Sequence, residues 1–217
     1  MQLDIKNLKE AIKNRLPQPV DIKKHYAITI PLYYNENEDR WELIYEVRSR
    51  HLSHQPLEIS FPGGRVEVGE TYEQAAIRET MEELLIGEEN IELLGESDYL
   101  VTTGTLTIKC FAIQIKNIKF EDIKPSSDEV DHLFTVPLDF FIENEPIKSV
   151  LTMSVDSDDK FPYDLIPNGR KYNFAKGKNI VLFYKYNKYI IWGFTAKMTN
   201  SFIGILRELG IIERKGE

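Results

Sequence analysis

Glu79, Glu82 and Glu83 stand three and four residues apart in Arg78-Glu79-Thr80-Met81-Glu82-Glu83. On a helix this spacing puts three carboxylates on one face, about a turn apart. Such pairs repel by about 0.2–0.5 kcal/mol each, and Arg78 alone cannot neutralise them. A hard divalent cation can, because Mg²⁺ and Mn²⁺ prefer carboxylate, carbonyl and water oxygens and commonly act with substrate phosphates. A solvated acidic helix face is the plainer reading of Glu-x-x-Glu-Glu taken by itself. The flanking residues shift the balance. Gly64 lets a backbone carbonyl come close, and Glu70 is placed to pair with Arg78 and hold the preceding loop against the helix. The candidate metal ligands are therefore Gly64, Glu79, Glu82 and Glu83, with Glu70 and Arg78 as braces.

These groups need a helix under them. Thr71 followed by Gln74 is a capping box, so a helix is expected from Tyr72 through Leu84, with Gly87 as the first breaker. Ala75, Ala76, Thr80 and Leu84 offer the packing surface. Upstream, Ala27–Tyr34 and Trp41–Val47 read as strands of a hairpin turned at Asn35-Glu36-Asn37-Glu38-Asp39. Glu58–Phe61 is a short strand stopping at Pro62, and Ile91–Leu94 and Thr107–Ile115 are further strands. Leu3, Leu8, Ile12 and Leu16 are loosely helical in spacing and are closed by Pro17 and Pro19, which suggests a docking helix within residues 1–20.

Composition narrows the class. The chain of 217 residues is 42% apolar, enough for a core, and carries a formal net charge of −8. That charge argues against general binding to nucleic acid or anionic membranes. No apolar run approaches the ~18 residues of a membrane span, and the N-terminus lacks a signal-peptide core. The single cysteine, Cys110, excludes an internal disulfide, suits a reducing cytoplasm, and sits in an apolar strand where a core role is expected. No Pro/Gly/Ser-rich linker or repeat divides the chain, so one domain over 1–217 is expected.

Gly64, five residues, Glu70, seven residues, Arg78-Glu79, two residues, Glu82-Glu83 resembles the Nudix box of diphosphate hydrolases. Thr80 replaces the usual aliphatic residue, and Leu85 replaces the usual glycine. The segment Leu43–Ser49, then Leu52, then Gln55–Gly64 is similar to the extra signature of the coenzyme A diphosphatase branch. Two positions depart: Ser53 stands for an arginine and Leu57 for a glycine, the latter costly if the backbone there needs a positive φ. CoA carries a diphosphate and a ribose 3′-phosphate, and Arg48, Ser49, Arg50 and His54 are the candidates to meet it. Asp128–Leu138 resembles the acidic strand of that branch entering Val-Pro-Leu. Glu129 there is a candidate metal ligand or general base, with a solvated loop carboxylate as the alternative. Pro137 is expected at the start of a short helix through Phe140 and Phe141. Val181–Tyr184 and Tyr189–Trp192 should form a hairpin across Asn187, followed by a C-terminal helix over 194–210.

The resemblance implies an α/β fold: a Nudix α/β/α sandwich with a mixed β-sheet and a loop-helix-loop catalytic motif. It implies metal-dependent hydrolysis of CoA or acyl-CoA to 3′,5′-ADP and (acyl-)4′-phosphopantetheine, with Mg²⁺ or Mn²⁺ as cofactor and Glu82, Glu83 and Glu129 as catalytic carboxylates. The expected partners are a small nucleoside-diphosphate-linked substrate and, as a homodimer, a second copy of the chain. ADP-ribose, NADH or a modified nucleotide is the alternative substrate class, and a non-catalytic nucleotide-sensing domain is a different alternative.

Overall fold

The computed structural model describes residues 3–213 except 16, 18, 103, 104 and 159. Its centre is a mixed sheet. Strands β1 (Lys24–Asn35) and β2 (Arg40–Arg48) form the expected hairpin, and β1 also pairs in parallel with β7 (Leu106–Ile115) over ten residues. Strand β2 carries β3 (Ile59–Ser60) on one side and β8 (Val130–Pro137) on the other. Short β4 (Gly63–Arg65) pairs β1, while β5 (Ile91–Glu96) and β6 (Leu100–Val101) pair β7. The glycine-rich turn expected at Gly63-Gly64 is thus itself a strand of this sheet.

Helix α2 (Tyr72–Leu84) has the expected limits, and its capping box is made: Thr71 Oγ1 accepts from Gln74 N–H and Gln74 Oε1 accepts from Thr71 N–H. The helix ends at Leu84 because Leu85 takes the left-handed conformation, φ 51° and ψ 47°. Gly87 plays no part in stopping it, which corrects the expectation from the sequence. Leu57, the other leucine at an expected glycine, also lies at positive φ, 61°. Both positions keep the backbone shape that glycine favours, at a cost of about 1–2 kcal/mol each for a side chain with Cβ.

The sheet is buried on both faces. Ile44, Ile113 and Ile115 pack against Leu84 and Ile86 on the α2 side, while Ala27 and Phe111 meet the small residues Ala75 and Ala76. Thr80, buried where an aliphatic residue is usual, donates to the Ala76 carbonyl at 2.8 Å, and Thr29 of β1 meets its hydroxyl at 2.9 Å. That matched pair of hydroxyls explains how the polar residue is accommodated. On the opposite face Ile30, Leu43, Tyr45 and Val47 pack with Phe141 of α3 (Leu138–Glu143) and with Met198, Phe202 and Leu206 of α4 (Gly193–Glu208). Pro137 sits just before α3 as its N-cap, not inside its first turn.

A second sheet of three antiparallel strands, β9 (Ile147–Met153), β10 (Gly177–Tyr186) and β11 (Tyr189–Trp192), contributes Leu182, Tyr184 and Ile191 to that second core. The β10–β11 hairpin turns at Asn187, φ 51°, as expected, whereas β9 was not foreseen. Helix α1 (Ile5–Lys13) falls within the expected N-terminal segment, yet none of its residues is buried, and Leu16 lies outside the described residues. No helix among the described residues is long and apolar enough to cross a membrane.

Candidate active site

Strand β4 and helix α2 lie against each other because glycine permits it. A Cβ on Gly64 would run into the carboxylate of Glu79 and push it from its place. On the next turn Glu83 is buried and its Oε2 accepts from Gly63 N–H at 2.8 Å. Glu129 arrives from the loop before β8. That loop is fixed twice: Ser126 N–H donates to the Glu83 carbonyl at 2.9 Å, and Ser49 N–H donates to the Glu129 carbonyl at 2.7 Å. One oxygen from each of Glu79, Glu83 and Glu129 then lies within 4.8 Å of the others.

Arg78 ties the periphery together. Its Nε and Nη2 donate to the two oxygens of Glu70 at 2.7 and 3.2 Å, a bidentate pair, and Nη2 also donates to the Arg65 carbonyl at 3.2 Å. Nη1 lies 2.9 Å from Glu79 and 3.1 Å from Glu82. These acceptors, Glu70 foremost, hold the guanidinium charged. Glu70 is pulled below the usual carboxylate range chiefly by the bond from Arg78.

Glu82 does not join the converging trio. Successive helical residues point about 100° apart, so when Glu83 turns inward Glu82 cannot follow. Its side chain is 56% exposed and pairs with Arg78.

The trio has a fourth carboxylate beneath it that sequence reading did not single out. Glu46 of β2 is 1% exposed; its Oε1 accepts from the Ser60 hydroxyl at 2.7 Å, while its Oε2 is buried with no hydrogen-bond partner. Burial pushes the Glu46 carboxyl up to about 7, with Ser60 and Arg48 opposing the rise. Glu83 is raised further, by burial first and then by the charge of Glu46. Burial likewise lifts Glu79, against the pull of Arg78. The sequence carries no local signal that sets Glu46 apart, since the same strand also holds Arg40, Glu42 and Arg48.

Four acidic groups so placed lack the charge that would let them ionise together. Hard oxygen donors, an unpaired buried carboxylate oxygen and mutual repulsion fit a divalent cation of the Mg²⁺ or Mn²⁺ kind.

The residues expected to meet substrate are dispersed. Arg48 lies near Glu46, with its Nε buried and without a hydrogen-bond partner. Ser49 is 2% exposed and its hydroxyl donates to the Ser127 carbonyl at 3.3 Å. It therefore secures the Glu129 loop and offers nothing to a ligand, a correction to its expected role. Arg50 is exposed and paired with Asp131 at 3.1 Å, and His54 is exposed. The aromatic loop at 161–170 folds on itself, Phe161 against Tyr163 and Arg170 over the Tyr163 ring.

Comparison with known proteins places the chain in a family. The NUDIX domain family matches residues 23–149, which run from β1 into the start of β9 and include every acidic group described above. Nudix hydrolase 3 of Caenorhabditis elegans is 27% identical over 213 residues, covering 93% of this chain and 82% of that protein. A peroxisomal coenzyme A diphosphatase of Mus musculus is 31% identical over 119 residues, covering 54% of this chain and 48% of its own length. Among solved structures, an Ap4A hydrolase of C. elegans in a binary complex aligns with a TM-score of 0.44 and 23% identity, over 52% of this chain and 80% of that one. With that family match over more than half its length, the chain belongs to the Nudix family of hydrolases.

Proposed function

We propose that the chain hydrolyses the diphosphate bond of CoA or acyl-CoA, giving 3′,5′-ADP and 4′-phosphopantetheine or its acyl form. The observation that carries hydrolysis is the convergence of Glu79, Glu83 and Glu129 within 4.8 Å beside the Arg48 segment. The CoA reading is supported by the spacing of residues 43–64 and by the likeness to the mouse coenzyme A diphosphatase.

When bound, Mg²⁺ or Mn²⁺ neutralises diphosphate oxygens and acidifies a coordinated water. Glu79, Glu83 and Glu129 would hold it, with the Gly64 carbonyl as a further donor. Arg78 and Glu70 keep Glu79 in place, and the Gly63 N–H does the same for Glu83. Glu129, the exposed member of the trio, takes the proton from the attacking water; Glu82 is the other candidate, displaced from the trio by its bond to Arg78. Arg48 and Arg50 supply positive charge to the outlying phosphates.

A second substrate class is favoured by two observations. Ser53 removes a cation that would meet CoA, and Ser49 is already engaged within the protein. Both leave room for ADP-ribose or NADH. A panel of CoA, decanoyl-CoA, ADP-ribose, NADH and 8-oxo-dGTP with Mg²⁺ or Mn²⁺, resolved by product chromatography, decides. Preferential formation of 3′,5′-ADP supports the proposal. Faster turnover of ADP-ribose or NADH than of either CoA substrate overturns the CoA assignment, and no turnover of any of them overturns hydrolysis.

A further inference from the structure

The ends of β2 and β8 meet the β10–β11 hairpin around a groove of about 370 Å³, within the ~300–1,000 Å³ range of small-ligand sites. Val47, Leu57, Ile59, Tyr189, Ile190 and Trp192 form its walls. Val47 follows Glu46 in β2, and strand alternation sends neighbours to opposite faces. His132, also in the groove, comes three residues after Glu129. Groove and acidic cluster therefore occupy the same ends of the same two strands, on opposite sides of the sheet.

Several polar groups of this groove are engaged within the protein. His132 Nδ1 is bonded to Asp131 at 2.9 Å and Nε2 to the Tyr189 hydroxyl at 3.1 Å. Glu58 accepts from Gln55 at 3.1 Å, and the Lys188 ammonium lies 5.1 Å from the Tyr189 ring centre. Beside the charged Glu58 and Lys188, an incoming molecule meets hydrocarbon and aromatic ring, with Leu57 55%, Ile190 42% and Trp192 42% exposed. An alkyl chain laid against these apolar walls gains burial and has no polar group to satisfy. Lys188, Tyr189, Ile190 and Trp192 come from beyond residue 149, where the match to the family domain ends.

We propose that the groove binds the acyl chain of an acyl-CoA, which rests on the CoA reading above and makes acylated substrate the preferred one. The test compares kcat/KM for decanoyl-CoA and CoA. Wild type is expected to favour decanoyl-CoA by about tenfold or more. Ile190→Asp and Leu57→Asn (asparagine tolerates the positive φ) should bring the ratio to within about twofold of one. Ile180→Asp, at an exposed position of β10 outside the groove, should keep the wild-type ratio.

A second readout needs no turnover. The chain has two tryptophans, Trp41 and Trp192, so in a Trp41→Phe background the emission reports on the groove. Titration with the neutral thioester S-decanoyl-N-acetylcysteamine should give a saturable change that Ile190→Asp abolishes. A wild-type ratio near one or a flat titration overturns the acyl groove while leaving CoA hydrolysis standing. If neither CoA nor decanoyl-CoA is cleaved, the functional reading fails, and the titration alone decides the groove.

Discussion

The metal-free protein should lose stability as pH rises, and Glu46→Gln should remove a defined part of that loss. Burial raises the Glu46 carboxyl from 4.5 to about 7. Between those values the folded chain keeps a proton that the unfolded chain has released. Stability then falls with pH by about 1.4 kcal/mol per unit for each such proton. Over this window Glu46 accounts for about 3 kcal/mol, fully present below pH 4.5 and lost by about pH 7. For a chain of 217 residues that corresponds to about 6–12 °C in melting temperature. Glu83, raised further, carries the decline to higher pH. Glu70 and Asp131 are shifted down, so their stabilising contribution fades only at lower pH and has the opposite slope. The assay is differential scanning fluorimetry in chelator from pH 4.5 to 8.5. Glutamine keeps the shape and an oxygen for the Ser60 hydroxyl but does not titrate, so the variant should be flatter between pH 4.5 and 7. A wild-type curve that is level or rising across that window would refute the reasoning, as would a variant curve parallel to wild type.

Other outcomes follow from the same geometry. Glu83→Gln should cut turnover about 100-fold or more while leaving the metal-free melting temperature at pH 8 equal or higher; near-normal activity in steady-state kinetics would remove Glu83 from the site. Gly64→Ala puts a methyl group onto the Glu79 carboxylate and should abolish the melting-temperature gain produced by Mn²⁺, with a gain equal to wild type counting against the close packing. Leu85→Gly, at φ 51°, should stabilise by about 1 kcal/mol in urea unfolding, because the left-handed C-cap no longer opposes a side chain. A loss of stability there would mean that the Leu85 side chain contributes more than its backbone costs.

Local rules carried much of the fold. The capping box set the start of α2, apolar runs on either side of the Asn35–Asp39 turn set β1 and β2, and the run Val181–Trp192 with Asn187 set a hairpin. Each depends on neighbours in sequence. Strand β9 escaped notice because it is exposed along its whole length and so shows no alternation of apolar and polar residues. The stop of α2 was misplaced because leucine is the wrong residue by propensity; close packing on either side of Leu85 overrides that preference. At the site, the spacing of Glu70 and Arg78 implied their pairing, which forms with bonds of 2.7 and 3.2 Å. Counting residues along a helix cannot say which of two adjacent glutamates turns inward, and Glu82 lies outside the group formed by Glu79, Glu83 and Glu129. The inward position of Glu46 depends on β8 and β3 flanking β2, and no local pattern announces it.

The short loop 126–129 is stapled at one end to the helix bearing Glu79 and Glu83, and at the other to Ser49, the residue that follows the strand bearing Glu46. Its reach is therefore a gauge between two independent parts of the scaffold. A single inserted residue there would leave every acidic group present and the fold intact, yet detune their mutual spacing. In a protein of this build, catalytic competence is stored as much in the length of a connector as in the identity of its glutamates.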